Sequence, residues 1–157
     1  MVTVFIKLLI LFLFIVLIIG IIRTFQMEHS QEQAIFLRGV LPDPKPEGLY
    51  NGNVSGHKVS WLGKKFSSLN STGVNLFDDG KGGKTEKYSF VTSIGKGTRD
   101  KEFNVFKIDY DISSNPFWLR FILDEIVQTA PNTYLGKLQL RIIPGLSFTL
   151  GYFKLQK

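Results

Sequence analysis

From Leu8 to Ile22 the chain is apolar at every position except Gly20, and Val2–Ile6 extends that run with only Thr3 and Lys7 interrupting it. No water-soluble surface accommodates such a stretch, because a helix apolar on all sides must be buried in protein or lipid. A 15-residue helix rises about 22 Å, short of the roughly 30 Å hydrocarbon core, but Lys7 can snorkel and let the Val2–Ile6 turn join the span. A cleaved secretory signal has a similar pattern. Against it, Arg23-Thr24-Phe25-Gln26-Met27 offers no pair of small residues spaced for a signal peptidase. Residues 1–23 therefore read as an uncleaved transmembrane anchor that contacts the bilayer through residues 2–22. Lys7 on one flank and Arg23 with Arg38 on the other nearly balance. The expected topology is a single-pass N-terminal anchor with the C-terminal domain extracytoplasmic, as is usual for such architectures.

The rest of the chain is a different material. The whole is 44% hydrophobic, but nineteen of the first 22 residues are apolar, so the remainder has the composition of one ordinary globular domain. The net charge of +6 weakly favours an anionic surface or ligand and does not point to nucleic acid as a partner. The absence of cysteine closes disulfide, thiolate, zinc-ribbon and iron–sulfur chemistry. No cofactor is expected, and the oligomeric state stays open. The sequons at Asn53 and Asn70 are too common a pattern to weigh.

Residues 24–46 read as a short helix within Glu28–Gly39 followed by a Pro-rich linker, Pro42-Asp43-Pro44-Lys45-Pro46, whose pre-proline residues are held extended. Residues 47–157 then show short β-type runs separated by Gly, Asn, Asp and Ser: Leu49–Val54, Lys58–Trp61, Val74–Phe77, Tyr88–Ile94, Phe103–Tyr110, Tyr134–Ile143 and Ser147–Leu155. Asn115 and Pro116 suit a helix start, and residues 116–129 read as a helix with Arg120 and Asp124 as a local ion pair. The fold expected is mainly β: a barrel or strongly curved antiparallel sheet with one packed α-helix near 116–129, plus the N-terminal transmembrane helix. The turn Asp78–Lys84 reads as a mobile hairpin tip.

Few motifs carry chemistry. Gly83-Lys84-Thr85 lacks the glycine five positions upstream that a phosphate-binding loop needs, and a strand rather than a helix follows. His29 and His57 are isolated, and Ser55-Gly56-His57 has no strand–turn–helix elbow around it. The carboxylates Asp109, Asp111, Asp124 and Glu125 are candidates for acid or base work in a lipid-directed hydrolase or isomerase, with a solvated sheet face as the plainer explanation. The aromatics Trp61, Tyr50, Tyr110, Trp118, Tyr134 and Tyr152, beside Lys64, Lys65, Arg120, Lys137 and Arg141, describe a pocket for an apolar ligand with an anionic head. They equally describe a packed barrel core with rim cations.

Gly48-Leu49-Tyr50-Asn51-Gly52, Trp61-Leu62-Gly63-Lys64-Lys65-Phe66, Tyr110-Asp111 with Pro116, Leu135-Gly136, and Gly151-Tyr152-Phe153-Lys154-Leu155 together resemble the bacterial and plant domain named for its GxWxG signature and its partner domain. Tyr50 stands at the signature tryptophan. The resemblance covers residues 40–155 and implies a small lipocalin- or nitrobindin-like β-barrel, without an activity or catalytic residue. A haem of the nitrobindin kind would take a barrel histidine, and His57 is the sole candidate. The reading that results is a membrane-anchored lipocalin-like barrel that binds a hydrophobic small molecule or lipid, lined by Trp61, Lys65, Arg120, Tyr134 and Lys137. The alternatives are an envelope interaction module with a filled core and the carboxylate enzyme.

Overall fold

A computed structural model describes residues 2–54 and 59–157. Eight antiparallel strands follow one another in space as in sequence and close into a barrel. They are β1 (Gly48–Asn53), β2 (Trp61–Ser67), β3 (Thr72–Asp78), β4 (Lys84–Lys96), β5 (Asn104–Asp109), β6 (Ile122–Ala130), β7 (Thr133–Ile143) and β8 (Leu146–Gln156). β8 returns to β1, pairing Gln156 with Asn51, so every strand has two neighbours. Closure of this kind leaves no sheet edge for another chain to extend.

Ahead of the barrel, α1 (Val2–Glu28) is one unbroken helix, long and apolar enough to cross a membrane, with Thr3 to Ile19 exposed along its length. It runs five residues past Arg23, and its last turns dock on the outside of β8. Gly20 lies under the Phe148 ring so closely that a Cβ there would stand 2.7 Å from it. The Thr24 hydroxyl accepts the Thr149 amide at 3.0 Å, and Arg23 Nε donates to the Leu150 carbonyl at 2.9 Å. Glu28 pairs with Arg99, which also donates to the Ser147 carbonyl at 2.9 Å. The short helix expected within 28–39 is α2 (Gln31–Arg38), capped by the Ser30 hydroxyl, which accepts from the Gln33 amide. It lays Phe36 on Val105, Val127, Leu135 and Tyr152, the outward residues of β5 to β8. Burying one phenylalanine this fully stabilises by about 1.5–3 kcal/mol.

The helix expected over 116–129 is a single 3-10 turn, Phe117–Phe121, followed by strand β6. Ile122, Asp124 and Ile126 face the interior while Leu123, Glu125 and Val127 face outward, and the outer set is covered as thoroughly as the inner one. A strand buried on both faces loses the polar alternation that marks strands, and its apolar run looks helical. The predicted Arg120–Asp124 pair dissolves accordingly: Arg120 Nε bonds Asp111 at 2.7 Å, and Asp124 turns into the barrel. β2 begins at Trp61, where the run read from Lys58 was expected to end; Lys58 lies outside the described residues, as do Ser55, Gly56 and His57.

Gly136 sits where the Phe153 ring crosses the β7–β8 pair, and a Cβ there would come within 2.1 Å of it. Gly136→Ala is expected to cost about 1–3 kcal/mol by overpacking. The guanidinium unfolding midpoint of the detergent-solubilised chain measures this, and Phe153→Leu in the same chain should recover part of the loss.

Candidate functional site

Strand polarity gives the barrel two unlike ends. Tyr50, Phe66, Phe90, Phe106, Tyr134, Ile126 and Leu155 fill one end, with edge-on ring pairs such as Phe66–Phe90 at 5.4 Å and Tyr50–Tyr134 at 5.2 Å between centroids. The other end, rimmed by the β3–β4 hairpin, the 3-10 turn and the β7–β8 hairpin, is hollow. Its cavity holds about 570 Å³ and is walled by Val54, Val59, Trp61, Phe77, Tyr88, Trp118, Leu119, Ile122, Leu138 and Phe153. That size and apolarity suit a small hydrophobic molecule.

The polar groups of this cavity are concentrated on Lys64, Asn75, Tyr110 and Asp124. Lys64 Nζ lies 2.9 Å from Asp124 Oδ2 and 2.8 Å from Asn75 Oδ1, and it also bonds the Tyr110 hydroxyl. That hydroxyl donates to Asp124 Oδ2 at 3.1 Å, while Trp61 Nε1 donates to Asn75 Oδ1 at 3.0 Å. Asn75 Nδ2 donates in turn to the Tyr88 carbonyl at 3.0 Å. The ammonium also stands over the Trp61, Phe90, Tyr110 and Phe153 rings, 5.1–5.4 Å from their centroids. One acceptor is left over: Asp124 Oδ1 is buried and has no hydrogen-bond partner. Burial lowers the Lys64 ammonium below the ordinary lysine range, with Asp124 pulling the other way. Burial, and then the neighbouring Asp124 charge, pushes the Tyr110 phenol well above its usual value.

Two irregularities aim these groups inward. A bulge between Trp61 and Gly63 shifts the β2–β3 register by one residue, so Trp61, Lys64 and Phe66 all face the interior although strict alternation would send Trp61 and Lys65 the same way. Gly63 makes the bulge possible: its φ is 137°, and a Cβ would lie 2.0 Å from the Tyr50 carbonyl. Across β3 and β4 the register shifts again between Val74 and Asn75, and the extra residue, Tyr88, is held at φ 62° with its ring against Phe77 and Trp118. A tyrosine in the left-handed region is strained, and here it walls the cavity mouth.

Of the five residues expected to line a site, Trp61 lies on the cavity. Lys65 is on the outer surface, paired with Glu86 at 2.9 Å. Arg120 lies outside the rim with Asp111. Tyr134 belongs to the packed end. Lys137 is fully buried but on the outer face, 2.6 Å from Asp100, whose other oxygen accepts from Gln33 of α2. Strand parity explains the separation: Tyr134 and Lys137 are three apart on β7 and cannot share a face. Among the carboxylates, Asp109 pairs with Arg141 at 2.6 Å, and Glu125 faces outward, accepting from the Thr98 amide and hydroxyl and from Gln139. Asp124 alone of the four lines the cavity. His57 lies outside the described residues, and among those described no three His, Asp or Glu side chains cluster as metal ligands. Lys64 and Tyr110 stand among the cations and aromatics of the sequence without being joined, and Asn75, an ordinary amide within the run Val74–Phe77, carries no sequence signal.

No protein-family model, curated protein or solved structure matches the chain.

Removing one partner of a buried pair leaves an uncompensated charge, so Lys64→Met and Asp124→Leu should each cost about 3–5 kcal/mol, whereas the double variant should recover most of it. Chemical denaturation of the four proteins closes that cycle. The phenol adds a pH dependence. Unfolded Tyr110 ionises near pH 10 while the folded residue keeps its proton, so stability falls as pH rises above about 10. Tyr110→Phe should flatten that slope in denaturation series run between pH 9 and 11.

Proposed function

We propose that this chain is a membrane-anchored binder of a hydrophobic small molecule or lipid, held in the open half of its barrel. The observation that carries the reading is the cavity itself: apolar walls above a compact polar floor where Asp124 Oδ1 is buried without a hydrogen-bond partner. An up-and-down barrel filled at one end and hollow at the other is the arrangement lipocalins use, and kinship with them and with the GxWxG-signature domain belongs to the same proposal. The floor refines the ligand's polar end. Asp124 neutralises Lys64 and leaves an acceptor, so the floor favours a hydroxyl or amide donor over the anionic head expected from the cations alone. α1 holds the barrel to its membrane as a single-pass anchor, with the barrel on the extracytoplasmic side.

Native mass spectrometry of the full chain extracted in mild detergent tests the reading first: a stoichiometric lipid or other apolar molecule should accompany the protein, and an empty protein overturns it. The head-group preference is read separately by following Trp61 fluorescence in a Trp118→Phe background. Decanol should bind at least about 10-fold more tightly than decanoate, and Lys64→Met with Asp124→Leu should erase the difference. The absence of cysteine makes sidedness direct. A Leu69→Cys chain, at a turn far from α1, should be labelled by a membrane-impermeant maleimide added outside intact cells or spheroplasts.

A further inference from the structure

The open end of the barrel and the apolar run of α1 lie on the same side of the molecule. β8 and the last turns of α1 run in one direction: Gly20 lies on Phe148, Arg23 reaches Leu150, and Met27 packs beside the cluster containing Tyr152. The rest of α1, back to Val2, therefore projects beyond the start of β8, which is the end where the β7–β8 hairpin and the 3-10 turn form the rim. Length decides how close that rim comes to the lipid. Crossing about 30 Å of hydrocarbon takes about 20 helical residues, which uses the run from Val2 to Ile22 entirely. The boundary then falls one residue before Arg23, already bonded to β8. No spacer separates barrel from bilayer, and the residues that precede Phe148 lie on the membrane side of that level.

Those residues are apolar and uncovered. Ile143 is 61% exposed, and Phe117 and Trp118 of the neighbouring 3-10 turn are 73% and 60% exposed. Together with Ile142, Pro144 and Leu146 they give the rim an apolar edge on either side of a surface groove that also holds the Arg120–Asp111 pair. Trp118 also walls the cavity, so the rim that meets lipid is the lip of the pocket. We infer that this rim is seated in the interface of the bilayer that α1 spans, and that the cavity takes its occupant, a membrane lipid chain, from that leaflet rather than from water. The loading half rests on the binding function proposed above; the seating half rests on the direction and length of α1 and on the exposed rim.

The two halves are separated by quenching in nanodiscs of phosphatidylcholine whose acyl chains are brominated at mid-chain, with unbrominated discs as reference. Single-tryptophan full-length chains are used: Trp118 in Trp61→Phe, Trp61 in Trp118→Phe, and Ile143→Trp or Leu69→Trp with both native tryptophans changed to Phe. Trp118 and the tryptophan at 143 should lose half or more of their emission in brominated discs, and the tryptophan at 69, on the β2–β3 turn at the packed end, should lose almost none. Trp61 should be quenched as a brominated chain enters the cavity. Rim tryptophans quenched no more than the one at 69 would overturn the seating, whatever Trp61 shows in decanol titrations. A quenched rim with Trp61 untouched would overturn the loading and leave the seating intact. The chains with tryptophan at 143 and at 69 carry the same two Trp→Phe changes, so the difference between them reads the seating even if Trp61→Phe disturbs the Asn75 contact, and Trp118→Phe leaves that contact in place.

Discussion

Closure of the sheet is the constraint on which the rest of this structure depends. Once β8 pairs with β1, the number of strands sets the interior width, and every inward side chain competes for one fixed volume. Large rings at Tyr50, Phe66, Phe90, Phe106 and Tyr134 use that volume up at one end. At the other, inward positions of β2, β3 and β6 are Lys64, Asn75 and Asp124, where the long lysine reaches two short polar side chains that leave the space above them unfilled. The hollow is the remainder, and its floor is the last layer that closure and packing jointly satisfy.

A buried lysine–aspartate pair stabilises a fold poorly, because removing both charges from water costs several kcal/mol per ion before the attraction is counted. Its presence here is easier to understand as geometry than as stability. Asn75 on β3, Trp61 on β2 and Tyr110 just past β5 surround the pair, and one carboxylate oxygen is left buried without a partner. Apolar replacements could fill the same space, but none would offer an acceptor at that depth. The strained Tyr88 backbone and the Gly63 bulge have the same character: local irregularities that a packed core alone would not require and that both shape the hollow end.

Much of the architecture was legible in the sequence, and the misses have identifiable causes. The long apolar helix was plain because Leu8–Ile22 is apolar at every position but Gly20. The run Lys58–Trp61 met β2 only at its first residue, while six of the eight strands left period-two or turn-bounded traces. β6 did not, since Leu123, Glu125 and Val127 on its outer face are buried under α2 and the β4–β5 connection, so apolar residues crowd both phases. The site was harder. Lys64 and Lys65 are equivalent to any pattern that counts by twos, and a one-residue bulge chooses between them. Asp124 and Lys64 are sixty residues apart in sequence and meet only because closure brings β2 and β6 to face across the interior. Lys137, read as a cation beside the barrel aromatics, has its ammonium over Phe36 of α2, outside the barrel.

The union of α1 with β8 has a mechanical consequence. The helix enters the barrel's flank as one continuous rod, fixed by a buried glycine, a threonine, an arginine and a glutamate over its final turns, with no break between its apolar run and the barrel. A transmembrane helix answers changes in bilayer thickness by leaning, at a cost of a fraction of a kcal/mol for each ångström of mismatch. A rod without a joint passes that lean to whatever it carries. With α1 spanning the bilayer as proposed above, the barrel would tip with its helix in a thin membrane and stand more upright in a thick one, so lipid composition would set the angle at which the whole barrel meets its surroundings.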